Sequence, residues 1–200
     1  AAGIVGLADL ALGDAVAPLL EAHLAASPNR FRGIRHSTTW DGSGALRNEA
    51  PPGLLGDGEF RRGFAWLEKL KLSFDAWVYH PQLNEVAALA RAFPDMTIVL
   101  NHMGAPLGVG PYAGKKDEVF QLWSRGIAAV AACPNVAIKL GGAGSARSGY
   151  HWHERPVQPS SEELAQVLRP YFGWCIETCG VDRCMFESNF PVEKECVSYR

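Results

Sequence analysis

Long apolar runs are missing from this sequence. No stretch of the 200 residues reaches the ~18 apolar positions a membrane helix needs, so no membrane role is expected. Neither sign of charge is in excess. Lys and Arg total 19 against 21 Asp and Glu, a net charge of -2. A nucleic-acid surface needs a basic balance, so no nucleic-acid partner is expected. Cysteine is scarce and irregular. Cys133, Cys175, Cys179, Cys184 and Cys196 are odd in number and include no Cys-x-x-Cys pair. That argues against a disulfide framework and a cysteine zinc cluster, and for buried thiols in a reducing, cytoplasmic setting. No Gly-x-Gly-x-x-Gly follows the first β-like run, and no P-loop occurs, so nucleotide binding has no support. Internal repeats and low-complexity segments are also lacking. No basic residue precedes the first apolar run, Ile4-Val5-Gly6-Leu7-Ala8, so a signal peptide is not expected.

What is present is 48% hydrophobic and 20% charged residues. That is enough apolar surface for one core, and residues 1–200 read as a single domain. Short β-like runs occupy 3–10, 31–36, 74–80, 97–102, 136–141 and 184–189. They are apolar or β-branched, bounded by Gly, Pro or Asn, and mostly without polar alternation, as buried parallel strands are. Between them, 14–26, 59–72, 83–93, 117–132 and 160–179 carry apolar residues at helical spacing. Ser160 with Glu163 three residues on predicts a capping box. Pro170 predicts a kink or split in the last helix. Regular alternation implies an α/β fold with a parallel sheet, either doubly wound or a (β/α)8 barrel.

Polar residues gather at the predicted strand ends: His36, His80, His102 and Asn189. In a parallel sheet these ends share one rim, where α/β enzymes place their sites. Alternation puts Arg35 on the face opposite His36, toward the helices if His36 faces the interior. It puts Glu187 and Asn189 on one face. Lys139, inside the apolar run Ala137-Ile138-Lys139-Leu140, is expected either to pair with Glu187 or to polarise substrate. His151 and His153 flank Trp152 in a long loop, where His153 is a candidate substrate contact. The long loops 47–58, 104–114 and 141–160 follow strands and are candidates for function.

Four segments together carry a resemblance. Gly33-Ile34-Arg35-His36, Val99-Leu100-Asn101-His102-Met103-Gly104, Ile138-Lys139-Leu140-Gly141-Gly142 and Arg183-Cys184-Met185-Phe186-Glu187-Ser188-Asn189-Phe190-Pro191-Val192 resemble the amidohydrolase-related family. Its members are TIM-barrel hydrolases, including sugar-lactone and pyrone-dicarboxylate lactonases, and related decarboxylases. The resemblance covers nearly the whole chain. It implies sites built from a His-x-His pair on the first strand, a His on a middle strand and an Asp on the eighth. Such sites bind one or two divalent metals, Zn or Mn, although some lactonase members work without metal. On that pattern His102 is the middle-strand His and the candidate metal ligand, and Asn189 stands at the Asp position. No His-x-His precedes the first strand here. An amide cannot take a proton from water as a carboxylate does, and it ligates metal more weakly. Glu187 is the candidate to supply that charge from one layer deeper.

The resemblance implies a hydrolase that opens a lactone, or a similar cyclic ester or amide of a sugar acid or carboxylic acid, by attack of water. His102, Asn189 and Glu187 are the catalytic candidates. Arg35, His36, His80, Lys139 and His153 are the candidates for binding a small-molecule substrate. A decarboxylase of the same superfamily, or a silent barrel that only binds a small molecule, are the alternatives. A homo-oligomer is left open. Six strands are two short of eight, and a barrel typically takes ~250 residues. If 184–189 is the eighth strand, the expectation is a piece of a larger barrel, lacking its first two strands and its last helix.

Overall fold

The computed structural model describes residues 2–197. Six strands form one parallel sheet: β1 (Ile4–Leu7), β2 (Phe31–Ser37), β3 (Ser73–Trp77), β4 (Ile98–Leu100), β5 (Val136–Leu140) and β6 (Cys184–Phe186). They pair strictly in chain order. A helix follows each of the first five: α1 (Ala17–Ala26), α2 (Gly58–Lys69), α3 (Leu83–Ala92), α4 (Lys116–Ala131) and α5 (Ser161–Cys179). A doubly wound sheet reverses its order at a switch point, and this one does not. Among the described residues the sheet does not close, since β1 and β6 each have one neighbour. The architecture is an incomplete (β/α)8 barrel.

Period two decides which side of each strand meets the helices. Ile34, Phe74, Ala76, Ile98, Leu100, Val136 and Ile138 pack in one core with Phe60, Phe64, Val86, Leu89, Ile127 and Val130 of the helices. Burying each large side chain contributes about 1.5–3 kcal/mol. The residues between them face the inner side of the arc. At the sheet's two ends apolar surface reaches solvent, with Leu7 68% and Phe186 72% exposed. Gly63 lets α2 lie against the backbone of Leu10, where a Cβ would collide with the Leu10 carbonyl oxygen. Arg183 closes two helix ends. Its guanidinium donates to Ala131 O at 2.9 Å, Cys133 O at 2.9 Å and Cys179 O at 2.9 Å, where carbonyls lack helical partners.

Several boundaries differ from the sequence expectation. The first helix begins at Ala17, because Gly13 at φ 57, ψ -134 interrupts the turns of Leu10–Val16. Asp14 instead accepts the Trp66 indole N–H at 2.8 Å. Pro170 neither splits nor ends α5. Tyr171, the next residue, is packed edge-on against Phe120 and Trp123, which anchors the helix beyond the missing hydrogen bond. Half of the capping box forms: Ser160 Oγ accepts the Glu163 N–H at 3.2 Å, but the Glu163 carboxylate takes Arg155 at 2.6 Å. β3 stops at Trp77 and β4 at Leu100, short of His80 and His102.

Candidate active site

The inner side of the arc carries Arg35, Asp75, Trp77, Val99 and Lys139. Arg35, Asp75, Val99 and Ala137 lie level across β2 to β5. Lys139 is two residues further along β5, and its Nζ meets Asp75 Oδ2 at 2.5 Å, reaching across β4. The expected Lys139–Glu187 pair is therefore not formed. Asp75, nearly fully buried, is the acid that compensates Lys139.

Glu187 is engaged elsewhere. Beyond β4 the chain enters the left-handed region at His102 (φ 55), Met103 (φ 53), Gly104 (φ 67) and Ala105 (φ 42). That conformation costs a non-glycine residue about 1–2 kcal/mol and persists only where its surroundings fix it. Two bonds fix it here. The Trp123 indole N–H donates to Met103 O at 2.6 Å, and the His102 backbone N–H donates to Glu187 Oε1 at 3.0 Å. The same carboxylate oxygen lies 2.5 Å from His102 Nδ1. Burial lowers the His102 pKa. Glu187 opposes that, and the nearby Arg147 and Arg35 charges reinforce it. The ring is thus neutral near pH 7. With an acceptor at Nδ1, the proton sits on Nδ1 and the Nε2 lone pair is left available. The contact is a hydrogen bond from a neutral imidazole rather than an ion pair. Trp77 stands edge-on to the ring at 4.6 Å. Gly142 (φ 70) passes so close that a Cβ there would strike the imidazole.

The other predicted residues fall in five different settings. Arg35 and His36 are swapped relative to expectation. Arg35 faces inward, with its guanidinium 5.5 Å from the Trp77 ring centre. His36 faces α2, packed on Phe60 at 5.6 Å, with Nδ1 accepting the Leu10 N–H at 3.1 Å. His80 is buried away from His102. Its Nδ1 accepts the Leu107 N–H at 3.3 Å, its ring meets Tyr112 edge-on at 5.0 Å, and its Nε2 has no partner. Burial pushes its pKa down to about 4, against the pull of Asp41. Asn189 lies past the end of β6 at φ 51, which breaks the alternation that was to align it with Glu187. Its side chain bonds Glu193. His153 is on the surface beside Glu154, at 3.5 Å.

Sequence reading missed Asp75, Trp77, Arg147 and Glu193. Asp75 had a signal, a charge inside the apolar run Phe74-Asp75-Ala76-Trp77, the same signal that marked Lys139. Arg147 had none, because it sits in a loop without periodicity. Its guanidinium lies 4.6 Å from the Trp77 ring centre and donates to Gly142 O at 2.8 Å. Glu193 is buried and accepts the Gly144 and Ser145 N–H groups at 2.7 and 3.1 Å.

The loops over this rim are tied down. Gln82 Oε1 accepts the Trp40 and Tyr79 N–H groups at 2.9 and 3.2 Å, and its amide donates to Thr38 O at 2.8 Å. The Tyr112 hydroxyl donates to Asp41 Oδ2 at 2.7 Å, joining the loop after β2 to the loop after β4. A cavity of about 400 Å³ lies between α5 and the segment after β6, lined by Gly142, Leu168, Phe172, Phe186 and Glu187 among others. It is largely apolar, and His102 does not line it, although Glu187, which touches His102, does.

A divalent transition metal needs at least three converging protein donors. Among the described residues no group of three His, Cys, Asp or Glu side chains is so placed. His102 offers Nε2, but Glu187 is turned onto Nδ1 and Asn189 presents an amide. This donor set does not fit a Zn or Mn ion. The cysteines are free, and burial pushes the Cys175 and Cys179 thiols up. No helix among the described residues is long and apolar enough to cross a membrane.

Comparison with known proteins decides the family. An amidohydrolase family model matches residues 1–200. The chain belongs to the amidohydrolase family. It is 37% identical to an uncharacterized protein, y4mH, of Sinorhizobium fredii, over 98% of this chain and 59% of that protein. It is 28% identical to an L-fucono-1,5-lactonase of Burkholderia multivorans, over 99% of this chain and 60% of the lactonase. A crystal structure of a Burkholderia multivorans amidohydrolase with bound zinc superposes with a TM-score of 0.76 at 26% identity, covering 99% of this chain and 62% of that one. The chain thus spans about three fifths of the length of these relatives.

Proposed function

We propose that this amidohydrolase chain belongs to a hydrolase that opens a lactone by attack of water, with His102 as the base. The observation that supports the reading most is the His102–Glu187 contact, which leaves a neutral imidazole with a bare Nε2 at the rim of the sheet. Lactonases among the relatives point to the same bond class.

In this reading Nε2 takes a proton from water as its oxygen adds to the lactone carbonyl carbon. The imidazolium so formed keeps its Nδ1–H on Glu187, which stabilises the new charge. Lys139, held by Asp75 with its side chain still 24% exposed, donates to the carbonyl oxygen as negative charge develops there. The tetrahedral intermediate collapses by breaking the bond to the ring oxygen. That oxygen receives the proton back from Nε2, giving a hydroxy acid. Glu187 is a positioning residue: it selects the tautomer and touches no reacting atom. Asn189, His36 and His153 are outside the reacting set, because their side chains engage Glu193, α2 and the surface.

The test is turnover of a panel of sugar lactones by the wild-type protein and by His102→Ala. A loss of at least about 100-fold in kcat, the usual scale of a removed general base, is expected. Unchanged turnover in His102→Ala overturns the assignment. Absence of any lactone turnover supports the silent-barrel alternative.

A further inference from the structure

The Trp123 indole is fully buried on the inward face of α4, which it shares with Val119, Gly126, Ile127 and Val130. An apolar side chain could fill the same space. It could not donate a hydrogen bond, and a buried indole N–H ordinarily finds a partner. Here the partner is Met103 O, at 2.6 Å, inside the left-handed turn that follows β4. Met103 is itself fully buried, so without the indole its carbonyl would be stranded away from water.

The turn cannot move toward α4 to recover a partner. Leu83 of α3 stands between them: a Cβ on Gly104 would strike one Leu83 methyl, and a Cβ on Gly126 would strike the other. On the inner side, Trp77 and Gly142 flank the His102 ring, and Glu187 holds its Nδ1 and the His102 amide. Those contacts act on His102 alone. The next residue of the turn is held from the helix side. We propose that Trp123 is a positioning residue whose indole N–H, given from the outer layer of helices, holds the turn that places the His102 base. Its effect on turnover rests on the hydrolase reading, but the positioning is testable without turnover.

The experiment removes the N–H with little change of shape, in the full protein. Trp123→Phe deletes the donor with part of the ring. Benzothienylalanine at position 123 exchanges the N–H for sulfur in a ring of the same outline. Phe120→Leu is the packing control, since Phe120 contacts the same indole at 5.4 Å and has no donor. Both changes at 123 are expected to lower kcat at least about tenfold with KM within about twofold, and Phe120→Leu to leave kcat within about twofold, because a displaced base slows chemistry rather than binding. Amide hydrogen exchange is the second readout. In the benzothienylalanine protein the His102 N–H is expected to exchange at least about tenfold faster than in wild type, while the Ile127 N–H of α4 keeps its wild-type rate. Where lactones are opened, an unchanged kcat, an unchanged His102 exchange rate, or the same losses in Phe120→Leu overturn the proposal and make Trp123 a core filler. If the wild type opens no lactone, the hydrolase reading fails and exchange alone decides. Faster exchange at His102 but not at Ile127 then supports the positioning role, and equal rates or acceleration at both overturn it.

Discussion

On the helix-facing side of β3, Phe74 and Ala76 are fully buried, and the Phe74 ring meets Phe60 and Phe64 edge-on. On the inner side of the same strand, Asp75 holds Lys139, and Trp77 gathers His102, Arg35 and Arg147. The outer side is stabilised by apolar area, where many contacts share the load and each loss is roughly proportional to the volume removed. The inner side is held by individual pairs in a low dielectric, where removing one partner strands the other. Stability belongs chiefly to the first side, and the proposed chemistry to the second.

The largest expected effect tests the outer side. Phe74→Ala should lower the unfolding free energy by about 3–5 kcal/mol, measured by urea denaturation. A loss below about 1 kcal/mol would mean the core is not built around this ring. Next comes the inner pair. Lys139→Met leaves Asp75 buried and unpaired, and should cost about 2 kcal/mol, less than a fully buried pair because Lys139 is partly exposed. Lys139→Met with Asp75→Leu should regain most of that loss. Additive losses in the double variant would show that the two charges do not depend on each other.

A pH effect of similar or smaller size belongs to His80. Its folded pKa of about 4 lies below the ordinary 6.5. Between those values the unfolded chain binds a proton that the folded chain does not, so stability is full above pH 6.5 and falls as pH drops toward 4. The fall is at most about 3 kcal/mol. His80→Gln removes that group, and its stability should decline less steeply between pH 7 and 4 than the wild-type curve. Parallel curves would contradict the buried, neutral His80. The smallest effect is expected at the surface: His153→Ala should change stability by less than about 0.5 kcal/mol and lactone turnover by less than about twofold.

The same division governs what was legible in the sequence. Apolar runs and helical spacing recover all six strands and all five helices, because burial of area leaves a periodic trace. The inner side leaves less. Alternation correctly separates Arg35 from His36, but anchoring the phase on His36 turns both the wrong way. Ile34, buried among the helices, carries the true phase. Alternation offers Glu187 as the partner of Lys139, although Asp75 sits in an apolar run just as Lys139 does. The left-handed turn that brings His102 back onto Glu187 leaves little signature in residue type beyond Gly104, since Met and Ala rarely adopt it. Arg147 reaches Trp77 from a loop, where no period exists to read.

The proposed reaction turns on the state of one imidazole. Nitrogen-15 NMR of the histidine-labelled protein at pH 7, with His102→Gln used to assign the resonance, reads its tautomer directly. The result predicted here is a neutral His102 ring with the proton on Nδ1 and Nε2 bare. A proton on Nε2, or a doubly protonated ring at that pH, would contradict the role given to Glu187 and remove the base from the proposed reaction.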